Sequence, residues 1–385
     1  MRSAGRRGVP VLDLQRGKRS PIECSGYCSA SVRLPLDADE DCALEALMGL
    51  AREWGRAVLL PVDDASAMFV DDNADALAGA FLVPRGPRGL ARRLADKREM
   101  HALCLEHGVA TPLAAFPERE QDLDRDATSI GLPVVLKRID ASRPSTLPTP
   151  NVRVAHDRRE LLTAFHAMRS PEGGNVMLQE HIPTSPRGDW MFNGYFDSQS
   201  CCRAAFTGLK LRQAPPEAGA TSLGVCQAND ALERQTVGLM AAIGYRGPLD
   251  VDYRLDPRDG RYKLLDVNPR IGASFRLFVG ADGTDVLRAM YLDLTGQRLP
   301  TIEQRNGRRW LVEPQDLRSS LSHRRGGELT VGGWLRSLSG IEETAWWSRD
   351  DPWPFFAMLA QLLVGRLRRF GRGLWGASSA RKAPR

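Results

Sequence analysis

The sequence predicts a mixed α/β protein, and three observations support this fold class. First, apolar strand-like runs alternate with helical patterns near the start of the chain, which is typical of a parallel sheet with crossover helices. Second, the middle of the chain contains paired apolar runs joined by turn signals, which predicts antiparallel hairpins. Third, the 385 residues are enough for two or three packed units.

The first region, 1–90, is predicted to form a Rossmann-like α/β domain. The apolar runs VPVLDL (9–14) and AVLLPVDD (57–64) are typical of buried strands, and DEDCALEALMGLAREW (39–54) has the acidic first turn of a helix. Strands that alternate with helices favour parallel pairing. The domain is expected to end at the crowded linker VPRGPRG.

The next region, 91–300, is predicted to form an α+β domain with two subdomains, 91–183 and 184–300. Its elements are expected in this order: a long helix from about Ala91 to Gly108, strands within 131–139 and 151–156, a helix over 158–168, a strand within 175–183, antiparallel strands over 189–197 and 203–213, and a helix over 231–244. Residues 301–385 are predicted to be a C-terminal extension that ends in an apolar helix with a basic tail.

One predicted hairpin bears directly on function. The turn DPRDG (256–260) separates two strand-like runs, and Gly260 suits the left-handed position of a three-residue loop, 258–260. That register places Asp252 opposite Asp266. Like charges that face each other across a hairpin are destabilising, so this pair predicts a cation between the two carboxylates.

Composition and charge are those of an ordinary soluble globular protein, with 42% hydrophobic and 26% charged residues. The net charge of +6 comes largely from the two ends, 1–19 and 366–385, and the middle is close to balanced. A basic surface over the whole molecule is therefore not expected, and no nucleic-acid partner is predicted.

The seven cysteines are an odd number and do not form paired metal half-sites. We expect free thiols, most of them buried, in a reducing compartment. The N-terminus lacks the apolar run of a signal peptide, and no apolar stretch reaches the roughly 20 residues that a membrane span needs. These features predict a cytoplasmic protein.

Several motifs, taken in order, resemble the ATP-grasp ligases. LADKREM, GLPVVLK, VMLQEHIP, GPLDVDYRL and KLLDVNPR follow the order of that superfamily. The stretches LPVDDASAMF, TGLKLRQ and DVNPRIGASFRLF look most like carboxylate–amine ligases near D-aspartate ligase. The resemblance implies an α+β ATP-grasp fold, in which a Rossmann-like pre-ATP-grasp domain precedes two subdomains that grip ATP.

Two lysines match the phosphate-binding lysines of that family, Lys97 and Lys137. Only six of the 53 basic residues are lysines, so an internal lysine is more informative here than usual. A compact ammonium group suits phosphate neutralisation better than an arginine fork. The alternatives are a solvated helix residue for Lys97 and a strand-end cation for Lys137.

The resemblance also implies an adenine-binding hinge, whose members are Gln179, Glu180, His181 and Ile182. Asp189 is expected to meet the ribose. The alternatives are a polar strand end for the hinge and a strand cap for Asp189.

The metal ligands implied by the resemblance are Asp252, Asp266 and Asn268. Hard oxygen ligands suit Mg²⁺, with Mn²⁺ as a substitute. Asp266 and Asn268 are two apart on a strand and therefore share a face. The alternative is a polar ladder without a metal. Asp252 stands where the superfamily often has Glu, so its side chain is shorter by one methylene.

Three cations are predicted to be catalytic. Arg270 would bind the substrate carboxylate or stabilise the transferred phosphate. Lys210 and Arg212 would share one face of a strand that lines the site; a solvated cross-strand pair is the alternative. The loop 138–151 departs from the family because it contains no glycine, so its donors would have to come from Ser142, Arg143, Ser145 and Thr146.

Together these residues predict an ATP-dependent ligase that joins a small-molecule carboxylate to an amine. The expected route is an acyl phosphate, with release of ADP and phosphate. Two alternatives stay open: a carboxylase-type ATP-grasp reaction, and a non-catalytic nucleotide-binding protein. The identity of the substrates and the oligomeric state are left open.

The terminal segment 353–375 is treated as a separate hypothesis. WPFFAMLAQLLVG followed by RLRRFGR is typical of a helix that lies on an anionic membrane surface. Peripheral contact with the inner face of the membrane is one interpretation. Packing against the catalytic core or a partner chain is the other.

Overall fold

The computed structural model describes residues 1–17, 19–35, 39–140, 145–216 and 219–365. They form two compact units. The smaller unit comprises Met1–Leu44 and the segment that begins at Glu343, and the larger comprises Glu45–Glu342. The predicted domain boundaries at residues 90 and 300 stay a prediction.

The strands in chain order are β1 (Val11–Arg16), β2 (Cys28–Leu34), β3 (Ala57–Val58), β4 (Phe81–Leu82), β5 (Ala114–Ala115), β6 (Val134–Arg138), β7 (Val152–Ala155), β8 (Val176–Glu180), β9 (Asp189–Phe196), β10 (Cys202–Ala214), β11 (Ala220–Cys226), β12 (Gly247–Leu255), β13 (Tyr262–Asn268), β14 (Arg309–Leu311) and β15 (Ile341–Thr344). The α-helices are α1 (Arg2–Gly5), α2 (Glu40–Trp54), α3 (Asp64–Asp72), α4 (Ala74–Leu77), α5 (Leu90–Ala95), α6 (Lys97–Glu106), α7 (Leu123–Ile130), α8 (Arg158–Met168), α9 (Asp230–Ala242), α10 (Val286–Leu294), α11 (Glu313–Arg325) and α12 (Val331–Ser337). Residues 353–365 are also helical.

The smaller unit joins the two ends of the described chain. Its strands β1 and β2 pair in parallel. Polar contacts hold the C-terminal segment to this N-terminal part: Arg6 Nε donates to Asp350 at 2.8 Å, and Ser25 Oγ donates to Asp351 at 2.6 Å. The C-terminal extension therefore contributes to a unit that begins at the N-terminus.

The parallel pairing predicted for the first region is confirmed, since β3 and β4 are parallel as well. The two pairs are, however, separate two-stranded sheets. The strand predicted over 57–64 stops at Val58. Pro61 follows, and Asp63 then caps α3 by accepting a hydrogen bond from the Ser66 backbone at 2.7 Å. A capping carboxylate favours helix over strand at this point.

The larger unit contains a four-stranded sheet of order β5-β8-β6-β7 with antiparallel pairing. The predicted helix over 158–168 is confirmed as α8, which is capped by Asp157. One face of the sheet packs with α8 into a core that includes Val134, Leu136 and Phe165. The strand prediction for 151–156 is confirmed as β7.

The second sheet has the order β13-β12-β9-β10-β11-β14-β15. The predicted antiparallel pairing of β9 with β10 is confirmed. Helix α9 begins after the Asn229 cap, and its core includes Leu239, Phe192 and Val251. Gly244 follows the helix with a φ of +70°, as expected for its stop signal.

The single long helix predicted from Ala91 to Gly108 was wrong. Asp96 adopts an extended conformation between α5 and α6, and its side chain accepts from the backbones of Arg98 and Glu99 at 2.9 and 3.0 Å. The break makes Lys97 the first residue of α6. An Asp cap inside an apolar-periodic stretch was a signal for this break.

All seven cysteines are free, as predicted, but the expectation that most are buried was wrong. Only Cys104 and Cys226 are buried. Cys24, Cys42 and Cys201 are exposed because they lie at the end of a 3-10 helix, in the first turn of α2 and beside a turn.

Candidate functional site

The β12–β13 hairpin places four polar side chains opposite one another. Asp252 lies opposite Asp266, as predicted, and Asp250 lies opposite Asn268. The predicted three-residue loop was wrong, because Asp256 N donates to Arg261 O at 2.9 Å and encloses four residues. A bulge at Leu265 restores the predicted register beyond it.

The two facing carboxylates are each paired with a lysine from another element. Lys97 Nζ lies 2.8 Å from Asp266 Oδ1, and Lys210 Nζ lies 2.8 Å from Asp252 Oδ2. Both lysine side chains are mostly buried, with 18% and 8% exposed. The positive charge that the facing carboxylates require is thus supplied by α6 and β10.

Lys137 approaches the same hairpin from the other sheet. Its Nζ donates to the carbonyl of Leu265, the bulged residue, at 3.1 Å. The side chain forms no ion pair with any residue in the described part of the chain. Burial, with repulsion from Lys97, lowers the pKa of Lys137 to about 8 although Asp266 opposes the shift. This ammonium keeps donor capacity for another anion.

The carboxylates of the hairpin differ in basicity. Burial would raise the pKa of Asp266, but Lys97 and Lys137 outweigh it and leave the pKa lowered. Burial and the neighbouring Asp252 instead raise the pKa of Asp250. The sequence motifs did not single out Asp250. Its position opposite Asn268, in the same register as the predicted Asp pair, was the available signal.

Arg270 lies past the end of β13 and reaches two other elements of the site. Its Nε donates to Asp64 on α3 at 2.8 Å, and its Nη2 donates to Asn268 Oδ1 at 3.1 Å. Asp64 was not predicted as a site residue. It lies in LPVDDASAMF, which was used only as part of the resemblance.

Arg212 is held away from this cluster. Its guanidinium donates to both oxygens of Asp316 on α11, at 2.8 and 3.0 Å, and to Ser337 at 2.7 Å. The register of β10 against β11 shifts between Lys210 and Arg212. The alternation that was expected to place them on one face is therefore interrupted. This geometry favours a structural role for Arg212.

The predicted hinge lies at the end of β8. Gln179 is paired with Val135, two residues before Lys137, and so shares the sheet face of that lysine. Its Nε2 is buried without a hydrogen-bond partner among the described residues. Glu180 binds Arg258 and accepts from the Leu113 backbone at 3.1 Å.

The remaining predicted nucleotide contacts lie beside the hinge. Ile182 is buried, and its carbonyl accepts from Arg254 at 3.3 Å. Asp189 accepts from the same arginine at 2.6 Å and from Gln213 at 3.2 Å. His181 is half-buried. Arg254 thus joins Ile182 to Asp189.

The glycine-free loop is partly described. Ser142 and Arg143 lie outside the described residues. The Ser145 hydroxyl donates to Leu147 O at 2.8 Å, and the Thr146 hydroxyl donates to Arg169 O at 2.9 Å. These two predicted phosphate donors are already used within the loop and at the end of α8.

The donor set determines which metal the cluster could hold. No group of three or more His, Cys, Asp or Glu in the described ranges is arranged to hold a metal ion. The predicted set differs from such groups because it combines two carboxylates with an amide, Asn268. Oxygen donors of this kind suit a hard, partly hydrated cation such as Mg²⁺.

Comparison with known proteins relates this geometry to a family. Residues 206–302 match the family described as carbamoyl-phosphate synthase L chain, ATP binding domain. A D-aspartate ligase from Enterococcus faecium is 23% identical over 259 residues, which are 64% of this chain and 61% of the relative. The match thus spans less than two thirds of that relative's length.

Solved structures share the fold at low identity. An L-amino acid ligase from Bacillus licheniformis superposes with a TM-score of 0.58 and 18% identity, over 78% of this chain and 73% of the other. A biotin carboxylase from Campylobacter jejuni superposes with a TM-score of 0.59 and 16% identity, over 80% of this chain and 70% of the other. The fold predicted from the sequence is thereby confirmed: the chain has the α+β ATP-grasp fold.

Proposed function

We propose that this protein is an ATP-dependent ligase that joins a carboxylate to an amine. The observation that carries the proposal is the convergence of three lysines on one acidic hairpin. Lys97 binds Asp266, Lys210 binds Asp252, and Lys137 donates to the carbonyl of the bulged residue Leu265 in β13. The resemblance to D-aspartate ligase and L-amino acid ligase supports the reaction type.

The residues present fit a nucleotide. Gln179 offers a buried, unpartnered Nε2 on the sheet face that carries Lys137. A buried donor without a partner costs free energy, which an adenine acceptor would recover. Glu180, His181 and Ile182 would form the rest of the adenine contact, and Asp189 would lie near the ribose.

The residues also fit Mg²⁺. Asp252, Asp266 and Asn268 are two carboxylates and an amide on facing strands. When bound, the ion would neutralise phosphate charge and orient the nucleotide. Mn²⁺ is the expected substitute. ATP and Mg²⁺ are therefore the proposed substrate and cofactor.

The chain's own groups would bind and position the reactants. Lys97 and Lys137 would neutralise phosphates, and Lys210 would do so from β10. Arg270, held by Asp64 and Asn268, would present its guanidinium to the substrate carboxylate or to the transferred phosphate. The carboxylate would become an acyl phosphate, and the amine would then displace phosphate to form an amide.

The direct test is ADP release that depends on both an acid and an amine. Wild-type protein is assayed with Mg·ATP over a panel of amino and hydroxy acids with amines. Lys97→Met should abolish the release, because Asp266 and the phosphates lose a shared cation. Lys263→Met is the matched control, since this lysine lies on the same strand as Asp266 but pairs with Asp259 at 2.9 Å.

Two results would contradict the ligase proposal. ADP release that requires bicarbonate and ignores amines would establish the carboxylase-type alternative, which the biotin carboxylase likeness favours at the level of fold. Nucleotide binding without turnover over the whole panel would establish a non-catalytic protein. This second alternative is favoured by one observation: the hydroxyls of Ser145 and Thr146 already donate to backbone carbonyls.

We also propose that the protein is cytoplasmic and contacts the inner face of the membrane through its terminal helix. No helix in the described part of the chain has the length and apolar content to cross a bilayer. The helix over 353–365 instead exposes an apolar stripe, which we define as Trp353, Phe356, Leu359 and Leu363, with exposed fractions of 64%, 50%, 38% and 60%. Spacings of three and four place these residues on one face.

A lipid surface is supported by the charge that follows the stripe. Residues 366–385 contain seven cationic and no acidic side chains. Apolar insertion together with cationic attraction is the combination that holds peripheral helices on anionic lipid. The opposite face of the helix belongs to the smaller unit, since Met358 is buried and Gln361 donates to Arg19 O at 2.9 Å.

Sedimentation with vesicles tests this membrane contact. Full-length protein should sediment with phosphatidylserine vesicles and not with phosphatidylcholine alone. Trp353→Ser with Leu363→Ser should lose binding, whereas Leu105→Ser, equally exposed at 65% in the larger unit, should keep it. Equal binding by both variants would contradict the proposal, as would failure of the wild type to bind.

A further inference from the structure

Asp250 occupies the centre of a row of polar side chains on three adjacent strands. It lies directly opposite Asn193 on β9 and opposite Asn268 on β13. Asn193 Nδ2 donates to Asp250 Oδ1 at 2.8 Å, and Asn268 Nδ2 donates to Asp250 Oδ2 at 3.1 Å. Each carboxylate oxygen therefore accepts from a different neighbouring strand.

We propose that Asp250 is a positioning residue that orients Asn268 and Arg270 for cation and phosphate binding. The inference rests on the proposed function, in which Asn268 is a metal ligand. Asp250 itself would touch neither the metal nor the substrate.

The amide of Asn268 has two ends, and Asp250 decides which end faces the site. In its ionised form Asp250 only accepts hydrogen bonds, so it then meets the amide nitrogen, in line with the contact from Asn268 Nδ2. Asn268 Oδ1 is then turned away from β12, where it accepts from Arg270 Nη2 at 3.1 Å. With the acceptor removed, the amide could turn its nitrogen toward a cation and repel it.

The turn after β13 is also built around Asp250. Gly272 packs so closely that a Cβ at this position would overlap the Asp250 carboxyl group. Arg270 Nη1 lies 4.0 Å from Asp250 Oδ2. Asn268, Arg270 and Gly272, at alternating positions, thus all contact one carboxylate. A side chain at position 272 would displace it.

A buried carboxylate is a costly way to hold two amides. Asp250 is only 9% exposed and has no cation closer than the 4.0 Å contact with Arg270 within the described residues. Removing such a charge from water costs several kcal/mol, by order of magnitude. The arrangement is explained if the orientation of Asn268 matters for binding. Mutation of a residue that hydrogen-bonds to a metal ligand typically lowers metal affinity about 10- to 100-fold.

The test measures binding directly, apart from turnover. Mn²⁺ affinity is measured by the loss of free-ion electron paramagnetic resonance signal on full-length protein, with and without ADP. Asp250→Asn should weaken Mn²⁺ binding by about 10-fold or more. The new amide can accept from only one asparagine with its single oxygen. Gly272→Ala, which keeps every charge, should weaken binding in the same direction.

A paired variant separates orientation from folding. In Asp250→Asn with Asn193→Asp, the new Asn can donate to the new Asp and still accept from Asn268. This swap should recover most of the lost Mn²⁺ affinity. Recovery by the swap would show that hydrogen-bond direction is what matters. Affinity as low as in the single variant would overturn the inference, and so would wild-type affinity in Asp250→Asn.

The outcome is distinguishable from failure of the ligase proposal. If wild-type protein binds Mn²⁺ with ADP but joins no acid to an amine, the proposed reaction is wrong. The Mn²⁺ affinities of the wild type and Asp250→Asn can still be compared. If Asp266→Asn abolishes Mn²⁺ binding and Asp250→Asn leaves it unchanged, the metal site stands and the positioning role is wrong.

Discussion

The two ends of the β12–β13 hairpin are both acidic but are held by different kinds of partner. At the turn end, Asp256 binds Arg258 at 2.8 Å and Asp259 binds Lys263 at 2.9 Å, within four residues along the chain. At the site end, the cation on Asp266 is Lys97, which lies 169 residues away in sequence.

The difference shows that aspartates in one hairpin form two kinds of ion pair, local pairs at the turn and long-range pairs at the site end. Local pairs at the turn need only the hairpin itself. Arg258 lowers the pKa of Asp256, and the backbone N–H of Arg261 together with Lys263 lowers the pKa of Asp259. At the site end, the cations for the half-buried carboxylates come from α6 and β10. We expect changes at the turn end to act on stability alone, and changes at the site end to act on binding and turnover.

The largest expected effect comes from comparing Asp266→Asn at the site end with Asp259→Asn at the turn end. The first removes a proposed metal ligand and the partner of Lys97, and it should lower acid- and amine-dependent ADP release by about 100-fold or more. The second removes a turn carboxylate and should leave the rate within about twofold. Steady-state kinetics at saturating Mg·ATP measures both. Equal loss in the two variants would contradict the assignment of function to the site end.

The next effect concerns stability at the same two ends. Lys210→Met leaves Asp252 without its cation in a mostly buried position, and it should lower the free energy of unfolding by about 3 kcal/mol. Lys263→Met should cost less than about 1 kcal/mol, because Asp259 is exposed and Asp256, 3.6 Å from Lys263, keeps its hydrogen bonds from Arg258. Urea denaturation followed by circular dichroism measures both. A larger loss in Lys263→Met would show that the local pairs carry more stability than the long-range ones.

A smaller effect is expected at Arg212, which resembles the turn end in having a structural partner. Arg212→Lys keeps the charge but loses the two-oxygen contact with Asp316, and it should destabilise by about 1–3 kcal/mol. The KM for ATP should stay unchanged. A raised KM in a variant of normal stability would instead return Arg212 to the catalytic group predicted from the sequence.

The smallest expected effect is the acid response of the turn. Hydrogen bonds from Arg258 lower the pKa of Asp256 to about 2. A carboxyl group whose pKa is lowered in the folded state stabilises the protein above its unfolded pKa, near 3.9, and this contribution is lost as the pH falls through about 2. Asp256→Asn should therefore lose less stability between pH 4 and pH 2 than the wild type, measured by thermal unfolding. An identical pH dependence would contradict this contribution.

Sequence reasoning located much of the site end because its residues follow short-range rules. Asp252 opposite Asp266 followed from the turn signals and strand alternation. The cation predicted between the two carboxylates stays a prediction, since each carboxylate pairs with its own lysine. Two features that were not predicted cancel each other. The loop is one residue longer than expected, and the bulge at Leu265 shifts the pairing back by one residue. A bulge leaves little trace in a single sequence, so the agreement depended on both features.

The site residues that were missed depend on contacts between distant segments. Asp64 accepts from Arg270 across from α3, and Asp250 accepts from Asn193, which lies 57 residues away in sequence. The shared face expected for Lys210 and Arg212 failed for a related reason, since a register shift against β11 redirects one of them. Alternation rules hold only where the strand pairing is regular.

The sequence by itself determined the order of the α+β elements, the acidic hairpin and the lysines suited to phosphate, because hydrophobic periodicity, turn chemistry and residue type are local properties. Only the tertiary structure decided which cation meets which carboxylate: Lys97 with Asp266, Lys210 with Asp252, and Arg212 with Asp316 instead. The physical reason is that buried charges must be paired at contact distance, and contact distance is set by the packing of two sheets and their helices.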